Sequence, residues 1–168
     1  MKSRFIALFC GSCLLLAVAA QAEELPARKA GLWEIKITAS AGGAASPMQQ
    51  STRQCVDAAS EKKMGVVANQ MTCSKRDTRK TAGGYVIDAV CEVGGMAVTS
   101  HTEITGNFDS GYTMKQTGHI QSGAAGKAGM DTTTTIEAKW QGACPAGWQP
   151  GDTELPGGRK MNLMGAGK

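Results

Sequence analysis

Apolar and polar residues alternate along most of this chain, and this period of two restricts its fold more than any other feature. From Trp33 to Ile37 the odd positions are apolar and the even positions are charged. Similar rows run from Tyr85 to Val93 and from Ile136 to Trp140. Successive side chains of a β-strand point to opposite faces, so this alternation is typical of strands with one buried face. The sequence therefore predicts a mainly β protein.

Turn signals divide the chain into short segments. Apolar residues also occupy even positions between residues 98 and 120, and threonines 132–135 add β-branched side chains that suit a strand. Because the segments between turns are short, we expect consecutive strands to pair as antiparallel hairpins. The turns are stretches rich in glycine or asparagine at 81–84, 94–95, 106–111 and 121–131.

One segment, residues 57–64, has helical character. Asp57 is placed to cap it and Glu61 to support its first turns. We therefore predict an all-β fold, an antiparallel meander that forms either a curved sheet or a small barrel, with this short helix across one end.

The amino terminus has the pattern of a secretory signal peptide. Lys2 and Arg4 precede an apolar run that ends at Ala20-Gln21-Ala22, which predicts cleavage after residue 22. The run has no stop-transfer cluster, so we expect no transmembrane segment after cleavage. We expect residues 1–22 to be the signal peptide of a secreted, periplasmic protein, residues 23–152 a single β-rich domain, and residues 153–168 an irregular tail.

Cysteine usage agrees with export. Cys10 and Cys13 leave with the signal peptide. A lipid-anchor cysteine usually has a leucine three positions upstream, and Cys13 has Cys10 there instead. Four cysteines remain, and an oxidising compartment favours two disulfides. None lies in a C-x-x-C arrangement, so zinc, redox-catalytic and haem sites lack their local signatures. The four are Cys55, Cys73, Cys91 and Cys144.

Hairpin symmetry selects a pairing. Cys73 and Cys91 are equidistant from Ala82, which lies in a predicted turn, so they are expected to face each other across a hairpin. That leaves Cys55 to pair with Cys144. The alternative pairs Cys55 with Cys73 and Cys91 with Cys144.

The remaining charge and motifs exclude several function classes. Loss of Lys2 and Arg4 lowers the formal net charge from +4 to +2, which excludes strong nucleic-acid binding by bulk electrostatics. The chain has no G-x-S-x-G elbow and no phosphate-binding glycine loop. We therefore predict a non-catalytic protein without a cofactor.

Two residue sets suggest metal binding. His101 and His119 are equidistant from Ser110 and are expected to face each other, with Glu103 nearby, as weak ligands for a divalent metal such as zinc. Their alternative role is that of exposed polar residues. The methionines suggest copper, although scattered methionines more often fill irregular cores.

Aromatic and basic residues suggest binding surfaces. Trp33, Tyr85, Tyr112 and Trp140 either line a site for a small apolar ligand or fill the core. The basic residues between Lys75 and Lys80 either form a solvated edge or contact anionic lipid headgroups or an acidic partner.

Four short motifs follow one another along the chain: Arg28–Glu34, Gln54-Cys55-Val56, the arm from Cys73 to Cys91, and Gly142–Asp152. In this order they resemble a bacterial exported family known as domain of unknown function 3617 (DUF3617). The resemblance implies a periplasmic β-rich domain, and it carries no activity, cofactor or site residue. The best remaining hypothesis is an envelope module that binds a partner protein or a small apolar ligand, and the alternative is a periplasmic metal-binding or stress-related protein.

Overall fold

The computed structural model describes residues 23–42, 44, 46–68, 72–121 and 129–165, with residues 65–68 described in their backbone alone. The predicted signal peptide lies outside the described residues. The described chain contains nine strands and one helix: β1 (Gly31–Ala41), β2 (Met48–Val56), α1 (Ala58–Ala68), β3 (Thr72–Thr81), β4 (Gly84–Val93), β5 (Met96–Asn107), β6 (Gly111–Ile120), β7 (Met130–Gly142), β8 (Asp152–Glu154) and β9 (Lys160–Asn162).

All nine strands form one antiparallel sheet in the order β3-β4-β5-β6-β7-β1-β2-β8-β9. Strands β3 to β7 form the predicted meander, and β7 then pairs with β1 at the start of the domain. The prediction of an antiparallel β fold with one short helix is confirmed. Of its two forms, the small barrel is wrong, because the two ends of the sheet do not pair with each other.

Pairing registers separate the sheet into two faces. Along β1 and β4 the odd residues point to one face, and the registers place even residues of β2, β5, β6 and β7 on that same face. We call this the apolar face, and the opposite one the polar face. The apolar face includes Trp33, Ile35, Ile37, Ile87, Ile104, Met114, Ile136 and Ala138, and the polar face includes Lys36, Asp88, His101, Lys115, His119 and Glu137.

The core lies on the apolar face where α1 covers it. Trp33, Val56 and Ala138 are buried there, and Met64 of the helix packs against them. Asp57 caps the helix as predicted, since its carboxylate accepts a hydrogen bond from the backbone N–H of Ser60 at 2.8 Å. Hydrogen bonds from Ser60, chiefly from its backbone N–H, hold the pKa of the Asp57 carboxyl below its usual value. Glu61 has a different partner, described below.

The disulfides agree with the sequence-based prediction, whereas the last two strands were not predicted. The disulfides join Cys73 to Cys91 and Cys55 to Cys144, which confirms the pairing chosen from hairpin symmetry. A bulge at Ser74 shifts the rest of the β3–β4 register by one residue. The tail expected to be irregular over residues 153–168 contains two short strands in its described part, where β8 pairs with β2 and with β9.

Within the described chain, no helix has both the length and the apolar character needed to cross a membrane.

Candidate functional site

A row of aromatic rings crosses one end of the apolar face. The ring of Phe108 lies 6.2 Å from that of Tyr85 and 4.8 Å from that of Tyr112, and Tyr112 lies 5.9 Å from Trp33. Phe108 belongs to the β5–β6 turn, so its position in the sequence did not reveal that its ring joins the row. Burial raises the pKa of Tyr112. The row is therefore part of the core at this end.

The segment Arg28–Ala30, which we call the strap, closes this end. Arg28 forms an ion pair with Glu61 of α1 at 2.6 Å, and both side chains are largely buried. The backbone N–H of Lys29 donates to the carbonyl oxygen of Phe108 at 2.8 Å. The carbonyl oxygens of Lys29 and Ala30 accept hydrogen bonds from the indole N–H groups of Trp33 and Trp140, respectively.

These contacts bear on the predicted ligand lining. Trp33 has no exposed surface, while Tyr85, Tyr112 and Trp140 are half-buried. The Lys29 ammonium group lies 3.8 Å from the centre of the Trp140 ring. The four aromatic residues thus lie at the same end of the sheet, but they contact the strap, the helix and one another, so a ligand there would have to displace some of these contacts.

The opposite end of the apolar face is open. Val93, Met96 and Met130 are exposed there by between 41% and 45%, and Met48 is exposed by 71% on the same face, nearer the middle of the sheet. We call these four, with the half-buried Val98 and Ile120 beside them, the methionine patch. The four exposed residues are Met48, Val93, Met96 and Met130.

Strand registers hold the methionine patch together. Val93 pairs with Met96, and Ile120 pairs with both Val98 and Met130. Met48 begins β2, two strands beyond β7, and its register through Ala39 places it level with Thr134, four residues along β7 from Met130. At about 4.8 Å per strand spacing, the patch extends about 24 Å across the sheet from β4 to β2. The residues are far apart in sequence, and only the alternation of faces together with the strand order brings them to one surface.

The two histidines do not face each other as predicted. His101 pairs with Thr117, and His119 pairs with Thr99, so the imidazoles are diagonal neighbours on the polar face. The physical reason is the β5–β6 turn, in which the Asn107 side chain accepts hydrogen bonds from the backbone N–H groups of Asp109 and Ser110. The hairpin is therefore centred on Asp109, one residue before Ser110.

Each imidazole contacts a different aspartate, and Nε2 of His101 also lies 3.6 Å from Glu103, the residue expected nearby. Asp88 lies 2.7 Å from Nδ1 of His101 and also pairs with Arg79. The hydrogen bond with Asp88 raises the pKa of His101, and the hydrogen bonds from His101 and Arg79 lower the pKa of Asp88. Asp131 lies 2.7 Å from Nδ1 of His119.

The histidine geometry does not favour a shared metal ion. A Cβ atom built on Gly129 would lie 2.3 Å from Nε2 of His119, so this nitrogen is turned toward Gly129. Among the side chains that the structure describes, no group of three or more His, Cys, Asp or Glu residues is placed to hold a metal. The two histidines line an open depression of about 470 Å³ together with Asp131 and neighbouring threonines. Zinc or copper binding stays a prediction, without a described site to support it.

Comparison with protein families finds one match, to the family described as "Protein of unknown function (DUF3617)", over residues 28–144. The matched region begins at Arg28 of the strap and ends at Cys144 of the second disulfide. No curated protein and no solved structure matches the chain.

Proposed function

The chain belongs to the DUF3617 family, whose function is unknown, and we propose that it is a non-catalytic periplasmic module that binds the apolar surface of a partner protein through the methionine patch. The observation that carries this proposal is the contrast between the two ends of the apolar face. One end is closed by the strap and α1, while the other presents three large apolar side chains to solvent, with Met48 exposed on the same face.

Contiguous exposed apolar surface is typical of sites that contact proteins, ligands or membranes. Methionine side chains are flexible and polarizable, so a surface that contains three of them can adapt to an irregular apolar partner. Isolated exposed apolar residues are common on protein surfaces, but the strand registers place Val93, Met96 and Met130 on one face at one end of the sheet, and Met48 on the same face.

A partner protein fits this surface better than a small apolar ligand. The aromatic side chains expected to line a ligand site are packed against the strap and each other. The described depressions of about 470 and 620 Å³ are open and are lined mainly by polar and charged residues. A broad contact across several strands needs no enclosed cavity.

Location and chemistry are parts of the same proposal. Two disulfides are typical of proteins in an oxidising compartment outside the cytoplasm, which supports the periplasm as the location.

Within the described part of the chain, neither imidazole is hydrogen-bonded to a serine, threonine or cysteine side chain. Neither of these histidines is therefore placed to activate a described nucleophile, which supports a non-catalytic role.

The first test replaces Met48, Met96 and Met130 together with glutamine and measures the fluorescence of anilinonaphthalene sulfonate, an apolar probe, bound to the folded protein. We expect the variant to lose most of the probe binding. The matched control is Met161→Gln, because Met161 is exposed to a similar degree but lies on β9, outside the patch. Probe binding that survives the triple replacement overturns the proposed site.

The second test places a photo-cross-linking residue at position 96 or 130 in the exported protein within intact cells. We expect one discrete protein adduct from both positions and none from position 161. The glutamine replacements at the other two patch methionines should abolish it. Cross-linking to a small molecule alone would replace the protein partner with an apolar ligand, and an absence of specific adducts would count against the proposal.

A further inference from the structure

The outer edge of β3 is a second surface, independent of the methionine patch. β3 is the last strand at one end of the sheet, and within the described chain it pairs with β4 alone. After the bulge at Ser74, its register with β4 is regular from Lys75 to Thr81. An edge strand of this kind presents a row of backbone N–H and C=O groups that can pair with an additional strand.

Cations flank this edge on both faces of the sheet. Successive side chains of β3 point to opposite faces of the sheet. The register with β4 places Lys75 and Arg79 on the polar face, and it places Arg76 and Lys80 on the apolar face. Asp77 is the single acid between them. An incoming strand would therefore meet positive charge whichever way its own side chains point.

Part of this charge is neutralised within the protein and part is not. Arg79 lies 3.3 Å from Asp77 and 2.5 Å from Asp88, so its guanidinium group is already shared between two carboxylates. Lys75 and Lys80 are exposed, and neither forms an ion pair with a described residue. The edge thus combines open backbone groups with lysine charges that have no internal counterpart.

We propose that β3 binds an extended acidic segment of another exported protein as an additional strand. Opposite charges on directly facing residues of paired strands attract, and like charges repel. Two copies of this chain joined antiparallel through β3 would set cations against cations, which disfavours a second copy as the occupant. An acidic segment satisfies the backbone groups and the lysines at the same time.

The probe is a short peptide of alternating threonine and glutamate, and the measurement is amide hydrogen exchange in the full-length mature protein. We expect the peptide to slow exchange within residues 75–81 by about fivefold or more, because added-strand pairing shields outward-facing amides. Binding should weaken with added salt, since exposed charges are screened. A peptide with N-methylated backbone amides keeps the carboxylates but cannot pair as a strand, and it should give no protection.

Charge-reversal variants complete the test. Lys75→Glu combined with Lys80→Glu should weaken peptide binding about tenfold or more. Lys62→Glu combined with Lys115→Glu changes the net charge equally on α1 and β6, and it should leave binding within about twofold. Amide exchange rates in β5 and β6 that equal those of the unsubstituted protein confirm that a variant is folded.

Three results would overturn the proposal. Equal binding of the peptide and its N-methylated form would show a charge contact without strand addition. Binding of phosphatidylglycerol vesicles through Lys75 and Lys80, with no binding of the peptide, would assign the edge to lipid headgroups. An absence of peptide binding would leave the lysines with the protective role that charges have on many edge strands.

Discussion

Cys55 of β2 is bonded to Cys144, which follows β7, across a sequence separation of 89 residues. Strand β1 lies between β2 and β7, so this disulfide joins two strands that do not pair with each other. Cys73 and Cys91, in contrast, belong to strands that are already hydrogen-bonded neighbours. The two disulfides therefore constrain the chain to very different extents.

Removal of each disulfide should destabilise the protein by different amounts. On the chain-entropy model, a cross-link that closes a longer loop restricts the unfolded chain more. We expect Cys55→Ala with Cys144→Ala to lower the free energy of unfolding by about 4–5 kcal/mol, and Cys73→Ala with Cys91→Ala by about 3 kcal/mol. Urea denaturation of the two double variants measures both values. Equal losses, or a larger loss for the hairpin disulfide, would contradict this account.

The ion pair between Arg28 and Glu61 should contribute strongly when one partner is removed. Its side chains are only 10% and 15% exposed, so Glu61→Gln leaves a largely desolvated guanidinium group without its counter-charge. We expect the free energy of unfolding to fall by about 2–4 kcal/mol. The double variant Arg28→Met with Glu61→Leu removes both charges and should recover most of that loss, as thermal unfolding will show. A double variant as unstable as Glu61→Gln would mean that the charges are not the cause.

Two adjacent glycines in the β3–β4 turn provide a matched pair. Gly84 has a φ of 151°, and a Cβ atom there would meet the carbonyl oxygen of Ile104 on β5. Gly83 has open space around the same position. We expect Gly84→Ala to lower the free energy of unfolding by about 2–4 kcal/mol and Gly83→Ala to change it by less than about 0.5 kcal/mol. Chemical denaturation measures both free energies of unfolding. Similar values for the two variants would show that the close approach of β5 to Gly84 does not exclude a side chain there.

The contact between Asp88 and His101 makes a pH-dependent prediction. Asp88 raises the pKa of His101 above the ordinary imidazole value of about 6.5, mainly by hydrogen bonding, and His101 in turn lowers the pKa of Asp88. The contribution of His101 is present at low pH and is lost as the pH rises through its raised pKa, whereas that of Asp88 is lost as the pH falls through its lowered pKa. The charged pair therefore exists between these two values.

An NMR titration tests this contact directly. We expect Asp88→Asn to lower the pKa of His101, because the largest cause of its shift is removed. Asp131→Asn is the control, since Asp131 contacts His119 and not His101. A His101 titration that is unaffected by Asp88→Asn would show that the two side chains do not interact in solution.

The features that could be predicted from the sequence are those set by short-range patterns. The strands follow from alternation, and the Cys73–Cys91 pairing follows from symmetry about a glycine-rich turn, even though a bulge at Ser74 shifts the rest of that hairpin. Symmetry about the next turn predicted wrongly that His101 faces His119. The hairpin is centred one residue earlier than expected, and such a shift moves each cross-strand partner by two residues. The Asn107 side chain that sets the centre is a local signal, and it was present in the sequence.

Contacts between distant segments had no such signal. Arg28 and Glu61 are 33 residues apart, and nothing in either local sequence indicates the other. The methionine patch likewise depends on β1 and β2 joining the sheet beyond β7, a strand order that alternation alone does not determine.

The position of β1 between β2 and β7 also constrains how this protein oxidises. Trp33 and Val56 lie in the first half of the domain, but Ala138, which completes their core, follows Val56 by 82 residues. Loops that long close slowly, so β1 and β2, which pair with each other, wait for β7 before this core is complete. Cys55 forms its native disulfide with a cysteine 89 residues further along the chain, and Cys73 and Cys91 come before that cysteine. Correct oxidation of this protein therefore depends on Cys55 not pairing first with either of these two nearer cysteines.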